Sequence, residues 1–158
     1  MMREMRRKDR QLPEAEAVRL LESCRFGVLC TVCADGTPYG IPMNHVLDGR
    51  ILYMHCASAG GLKLENIARS PRACFTVVGG AGLREEAAKE GAGEGSRLRP
   101  RSAVAFGSVR ILTGETEKLH GLDMLRRGRP RGLPADAGVL QKVHVLRFDI
   151  ERLTGKRG

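Results

Sequence analysis

The chain has 158 residues, enough for one core and too few to need a second domain. With no Trp, two Tyr and four Phe it lacks the stacking platforms of a single-strand nucleic-acid binder, so its net charge of +9 points to a small phosphorylated ligand rather than to DNA or RNA. No apolar run approaches the roughly 20 residues of a membrane span and the basic start lacks a signal-peptide core, so a cytoplasmic protein is expected.

Arg3, Arg6, Arg7, Lys8 and Arg10 form a basic arm over residues 1–12, expected to be mobile or to clasp a partner. Pro13 suits a first helical turn, and Ala17, Leu20, Leu21 and Cys24 recur at helical spacing behind it. Phe26 to Cys33 reads as a strand closed by an Asp35-Gly36 turn. A second strand is expected over Tyr39 to Val46, with Tyr39, Ile41, Met43 and His45 on one face; Pro42 makes it an edge strand or a bulged one. Asp48-Gly49 turns the chain into Ile51 to Cys56, which is expected to pair with Tyr39 to Val46 and complete a three-stranded meander.

A short helix follows from Gly60 to Arg69, with Leu64, Ile67 and Ala68 as its apolar positions and Lys63 and Asn66 on another side; Ser70-Pro71 ends it. Ala73 to Val78 is again a strand. Residues 79–100, rich in glycine and charge, read as a long exposed loop. Ser102 to Leu112 returns to strand, and Thr113 is expected to cap a helix with Leu119, Leu122 and Leu125 on its apolar face. After an Arg-, Gly- and Pro-rich loop, Leu140 to Ile150 forms the last strand before a polar tail. Strands joined mostly by tight turns, without βαβ alternation, favour a mainly β fold: an antiparallel barrel, closed or partly closed, with peripheral helices.

The five cysteines, Cys24, Cys30, Cys33, Cys56 and Cys74, are an odd number set mostly in apolar runs, as reduced buried thiols are. Cys30-x-x-Cys33 has redox or metal spacing, but residues three apart on a strand face opposite sides, and no second pair completes a zinc set.

His55, Cys56, Ala57 and Ser58 end a strand, and Gly60 and Gly61 then open a helix whose first N–H groups lack intrahelical partners. With the Ser58 hydroxyl and the Lys63 ammonium these groups would cradle a phosphate. An ordinary glycine-rich turn beside a solvated lysine fits the same residues. A flat ring beside this hairpin would meet the Asn44 amide and the backbone of Met43 to His45; a core Met43 and a surface His45 are equally compatible with the spacing. Of His45 and His55, His55 is the better candidate for a site residue because it stands directly before the cradle, with a buried, hydrogen-bonded structural imidazole as the competing role. Arg101-Ser102 could offer a guanidinium and a hydroxyl to the same anion, and an ordinary basic loop end, the more common situation, fits the same residues.

The succession MRRKDR, FGVLCTVCADGTPYGIPMNHVLDGRILYMHCASAGGLKLENIARSPRACFTVV, RSAVAFGSVRIL and IERLTGK resembles the pyridoxamine 5'-phosphate oxidase-like flavoproteins, nearest to their 5-nitroimidazole-resistance (Nim-type) branch. The resemblance implies a split β-barrel homodimer, one domain over 1–158, with FMN at two sites between the subunits. Met43, Asn44, His45 and Val46 would line the isoalloxazine; His55, Cys56, Ala57, Ser58 and Lys63 would hold the ribityl phosphate; Arg101 and Ser102 would approach the cofactor of the other subunit. An aromatic residue commonly precedes this Arg-Ser pair in the branch, where the present chain has Pro100. The implied activity is electron transfer from NAD(P)H through FMN to small electron-poor acceptors such as nitroimidazoles. A non-catalytic flavin binder, or a haem- or deazaflavin-using relative, shares the same fold. No residue set for a pyridoxamine phosphate substrate can be placed, so vitamin B6 oxidation is not expected.

Overall fold

Pro13 stands at the N-cap of the first helix, α1 (Glu14–Ser23), and its carbonyl accepts from the N–H of Ala17 at 3.2 Å. The one apolar stripe of α1 is buried: Ala17, Leu20 and Leu21 are each at most 5% exposed. Their positions are those of a computed structural model, which describes residues 4–79, 100–128 and 142–158.

Among the described residues, eight strands form one antiparallel sheet: β1 (Gln11–Leu12), β2 (Phe26–Val32), β3 (Pro38–Asn44), β4 (Val46–Asp48), β5 (Ile51–Ala57), β6 (Arg72–Gly79), β7 (Arg101–Ile111) and β8 (Val143–Arg157). Their order is β3-β2-β6-β7-β8-β5-β4, with β1 added to β8. The outermost strands of that order, β3 and β4, are consecutive in the chain and are separated by His45 alone. A one-residue link spans only about 7 Å. The two edges must therefore meet, and the sheet is rolled into a split barrel.

Alternation along the strands defines the inside of the roll. Leu29, Leu52, Met54, Phe75, Val77, Ala105, Leu146 and Phe148 fill it and are at most 1% exposed. The apolar stripes of α1 and of α2 (Leu62–Arg69) join the same core, through Leu20 and Leu21 and through Leu64 and Ile67. A third helix, α3 (Glu115–Arg127), packs on the outside of the barrel, where Leu122 and Leu125 cover Tyr53 and Val145. Its close approach needs Gly121, because a Cβ there would come within 2.8 Å of Val145 and 3.0 Å of Tyr53. At Phe106/Gly107 the β7–β8 register shifts by a bulge, and a Cβ on Gly107 would collide with the Asp149 carbonyl.

Several expectations change. The run Tyr39 to Val46 is not one strand: it breaks at His45, Pro38–Asn44 pairs with β2, and only Val46–Asp48 pairs with β5. The inward set Ile41, Met43 and His45 holds, and so does the edge position of Pro42. The N-cap of α3 is Gly114 rather than Thr113, without a side-chain cap, and Leu119 is 47% exposed. In α2, Ala68 is exposed while Asn66 is buried, because its Nδ2 donates to Thr31 Oγ1 at 3.1 Å and reaches Cys33 Sγ at 3.5 Å. The last strand runs on through the presumed tail to Arg157, pairing with β7, and Gln11–Leu12 of the basic arm pairs with its end. The exposed loop expected over 79–100 and most of the Arg-rich loop lie outside the described residues, although Gly79 itself ends β6.

Candidate functional site

The cradle residues sit where β5 passes into α2. Gly60 and Gly61 have φ of +90° and +125°, values that glycine adopts readily and other residues do not. A Cβ at either would meet nothing within 4 Å, so the turn is open to one side. Gly61 caps α2 and no side chain does, leaving the first N–H groups of the helix without a side-chain acceptor. The Ser58 N–H donates to the Lys142 carbonyl at 3.1 Å, which ties the cradle to the start of β8. Burial pushes the Cys56 thiol up, and the Lys63 ammonium draws it partly back, which places that charge beside the end of β5. His55 alternates with Cys56, on the face opposite the barrel core, and pairs with Val145 in the ladder. Ala57 and Ser58 are exposed.

The second group lies at the break between the edge strands. Met43 is buried in the core. His45 is 6% exposed: its Nε2–H donates to the Leu21 carbonyl at 2.7 Å, and its ring meets Phe75 edge-on with centroids 4.8 Å apart. These two side chains therefore face away from any ring outside the barrel, which would reach only their backbone. Val46 packs with the α3 cluster. Asn44 also points its side chain to the outer face, beside Phe26, and its Oδ1 is enclosed without a hydrogen-bond partner among the described residues. Opposite Asn44 in the ladder stands Phe26, 61% exposed.

Arg101 and Ser102 begin β7. Ser102 pairs with Val78, itself 63% exposed, on the outer face that also carries Phe26 and Asn44. The Arg101 guanidinium turns the other way and meets Glu16 Oε2 at 3.3 Å. A cleft of about 650 Å³ opens there between α1 and the barrel end, lined by Glu16, Arg19, Ser23, Cys24 and Arg101 among others. Of the cofactor-site residues expected from the sequence, its described lining contains Arg101 alone. Ten residue steps along β7 separate Arg101 from Ile111, and Ile111 lies at the end of the barrel where β5 finishes. At about 3.3 Å per residue those ends are roughly 30 Å apart. One chain thus brings Asn44 toward Ser102 but leaves Arg101 far from Ser58 and Lys63.

Reasoning from spacing missed two features. Phe26 is expected only as the start of a strand, and it is 61% exposed on the outer face. Cys74 has no partner at any short sequence interval, yet it lies directly opposite Cys30 across the β2–β6 ladder; only the strand register reveals that pair.

Among the described residues, no helix is long and apolar enough to cross a membrane. The sequence profile of the family described as pyridoxamine 5'-phosphate oxidase matches residues 13–157. No curated protein matches the chain. Among solved structures, a candidate 5-nitroimidazole antibiotic resistance protein from Bacteroides thetaiotaomicron superposes with a TM-score of 0.76 at 21% identity, covering 93% of this chain and 86% of that one. An FAD-binding protein from Mesorhizobium loti does so with a TM-score of 0.66 at 22% identity, covering 94% and 97%. The flavocytochrome Anf3 from Azotobacter vinelandii gives 0.73 at 17% identity, covering 97% and 71%.

Proposed function

Because the chain belongs to the pyridoxamine 5'-phosphate oxidase family, we propose that it binds FMN between two copies of itself and reduces small electron-poor acceptors, nitroimidazoles included, with electrons from NAD(P)H. The observation that carries the flavin reading is the enclosed Asn44 Oδ1 without a partner. A buried acceptor left unmet costs about 1–3 kcal/mol, and the imide N–H at the rim of a flavin ring is a donor of the kind it lacks. Exposed Phe26 beside it offers a surface for the flat ring.

At the other end of the ligand, the uncapped N-terminus of α2, the Ser58 hydroxyl and Lys63 would hold the phosphate. The distance between Arg101 and the cradle within one chain supports a shared site, in which the second copy supplies Arg101 and Ser102. Bound FMN would supply the two-electron chemistry; the chain's residues bind it, orient it and exclude water. His55, ahead of the cradle on the outer side of β5, is the candidate to hold a proton for the acceptor.

The test is the absorbance spectrum of the purified protein, followed by titration with FMN, FAD and a deazaflavin. Retention of FMN together with FMN-dependent oxidation of NADH or NADPH by a 5-nitroimidazole is expected. Tight FMN binding without turnover would leave a flavin carrier, and failure to retain any of the three would overturn the reading.

A further inference from the structure

The ladder between β2 and β6 places Cys30 directly opposite Cys74. Residues so opposed in an antiparallel pair share a face, with Cα atoms about 4.5 or about 5.5 Å apart according to the type of pair. Both separations fall within the ~4.4–6.8 Å that a disulfide spans. The two thiols are half-buried on the outer face of the sheet, where the Cys30 thiol helps push Cys74 up while its own S–H donates to the Val28 carbonyl at 3.9 Å. On its other flank Cys30 faces Gly40 of β3, which has no side chain to cover it; a Cβ there would stand 3.7 Å from Cys30 Sγ. Cys33 is turned toward Asn66 and the barrel end, so the Cys-x-x-Cys spacing is not the pair that meets.

We propose that Cys30 and Cys74 form a redox-active dithiol that a small peroxide closes to a cross-strand disulfide. With hydrogen peroxide, the Cys30 thiolate attacks one oxygen and the O–O bond breaks, leaving a sulfenic acid on Cys30; the other oxygen leaves as hydroxide and becomes water with the proton Cys30 had given to solvent. The Cys74 sulfur then attacks the Cys30 sulfur, the S–O bond breaks, and hydroxide leaves as a second water with the Cys74 proton. Two thiols lose two electrons and the peroxide gains them. Burial and the neighbouring thiol push Cys74 up to about 11 and so keep it protonated near neutrality, which leaves the first attack to Cys30 and gives the departing hydroxide of the second step its proton. Closure needs no flavin, so this inference stands apart from the proposed activity.

The experiment treats the native full chain with stoichiometric hydrogen peroxide, alkylates it under denaturing conditions and maps the peptides. Two of the five thiols should be lost per chain, recovered by a dithiol reductant, in a linked peptide joining Cys30 to Cys74 of one chain. Cys30→Ser and Cys74→Ser should each abolish that link, and Cys33→Ser should retain it. The wild-type map alone decides the matter should a variant not fold. Five unchanged thiols, a Cys30–Cys33 link, or a link between two chains would overturn the proposal.

Discussion

At the scale of single residues, Asn44 and His45 show how neighbours on one strand divide structure from recognition. Alternation sends the His45 imidazole to the Leu21 carbonyl and the Asn44 amide outward, where its oxygen is unmet. Asn44→Ala should therefore lower FMN affinity about tenfold, the worth of roughly one hydrogen bond, while leaving the melting temperature of the flavin-free protein unchanged or higher, because an unsatisfied acceptor is removed. Isothermal titration and thermal melts separate the two effects. Lys63→Ala should weaken FMN more than riboflavin, which lacks the phosphate; equal loss for both would remove Lys63 from the phosphate site. Cys74 supplies a test in alkali. Its thiol is held at about 11 in the fold against an ordinary 9, so the native state keeps a proton that the unfolded chain gives up. The stabilisation is complete below pH 9 and is lost as pH rises toward 11. Denaturant titrations across that window should show a decline that Cys74→Val reduces.

At the scale of elements, the break at His45 is what separates the two edge strands. The imidazole ties the break to the C-terminal half of α1, and Phe75 flanks it. His45→Ala should cost about 2–4 kcal/mol in chemical denaturation, through a lost hydrogen bond and a core cavity. Most elements were legible from the chain alone: the α1 stripe, the Asp-Gly turns and the Ser70-Pro71 stop are local signals. The pairing of Tyr39 to Val46 was not, because adjacency in sequence favours a meander, whereas here one run supplies both edges of the roll, its first part pairing with β2 and its end with β5. The continuation of β8 to Arg157 was hidden for a similar reason. Its charged residues resemble a tail until β7 and β1 supply partners for its backbone. The cradle was legible as a turn, through Gly60 and Gly61; the outward aim of Asn44 was fixed only by the alternation that begins at Pro38.

At the scale of the whole molecule, the outer face of the barrel carries Phe26 and Val78 in the open, 61% and 63% exposed, on the row that also holds Asn44 and Ser102. In the proposed dimer this row meets the second copy. Phe26→Asp should shift the protein toward monomer in light-scattering measurements and reduce FMN retention together with it; a monomer that holds FMN as tightly as the wild type would contradict a shared site. The link through His45 has a further consequence for how this chain can vary in length. Leu47 belongs to the barrel core and Val46 to the cluster beneath α3. A single residue inserted between Asn44 and Val46 would turn β4 over and exchange those two faces, and a single deletion would leave nothing to cross from one edge to the other. This hasp holds one residue, and homologous chains that close their barrels the same way should neither gain nor lose one there.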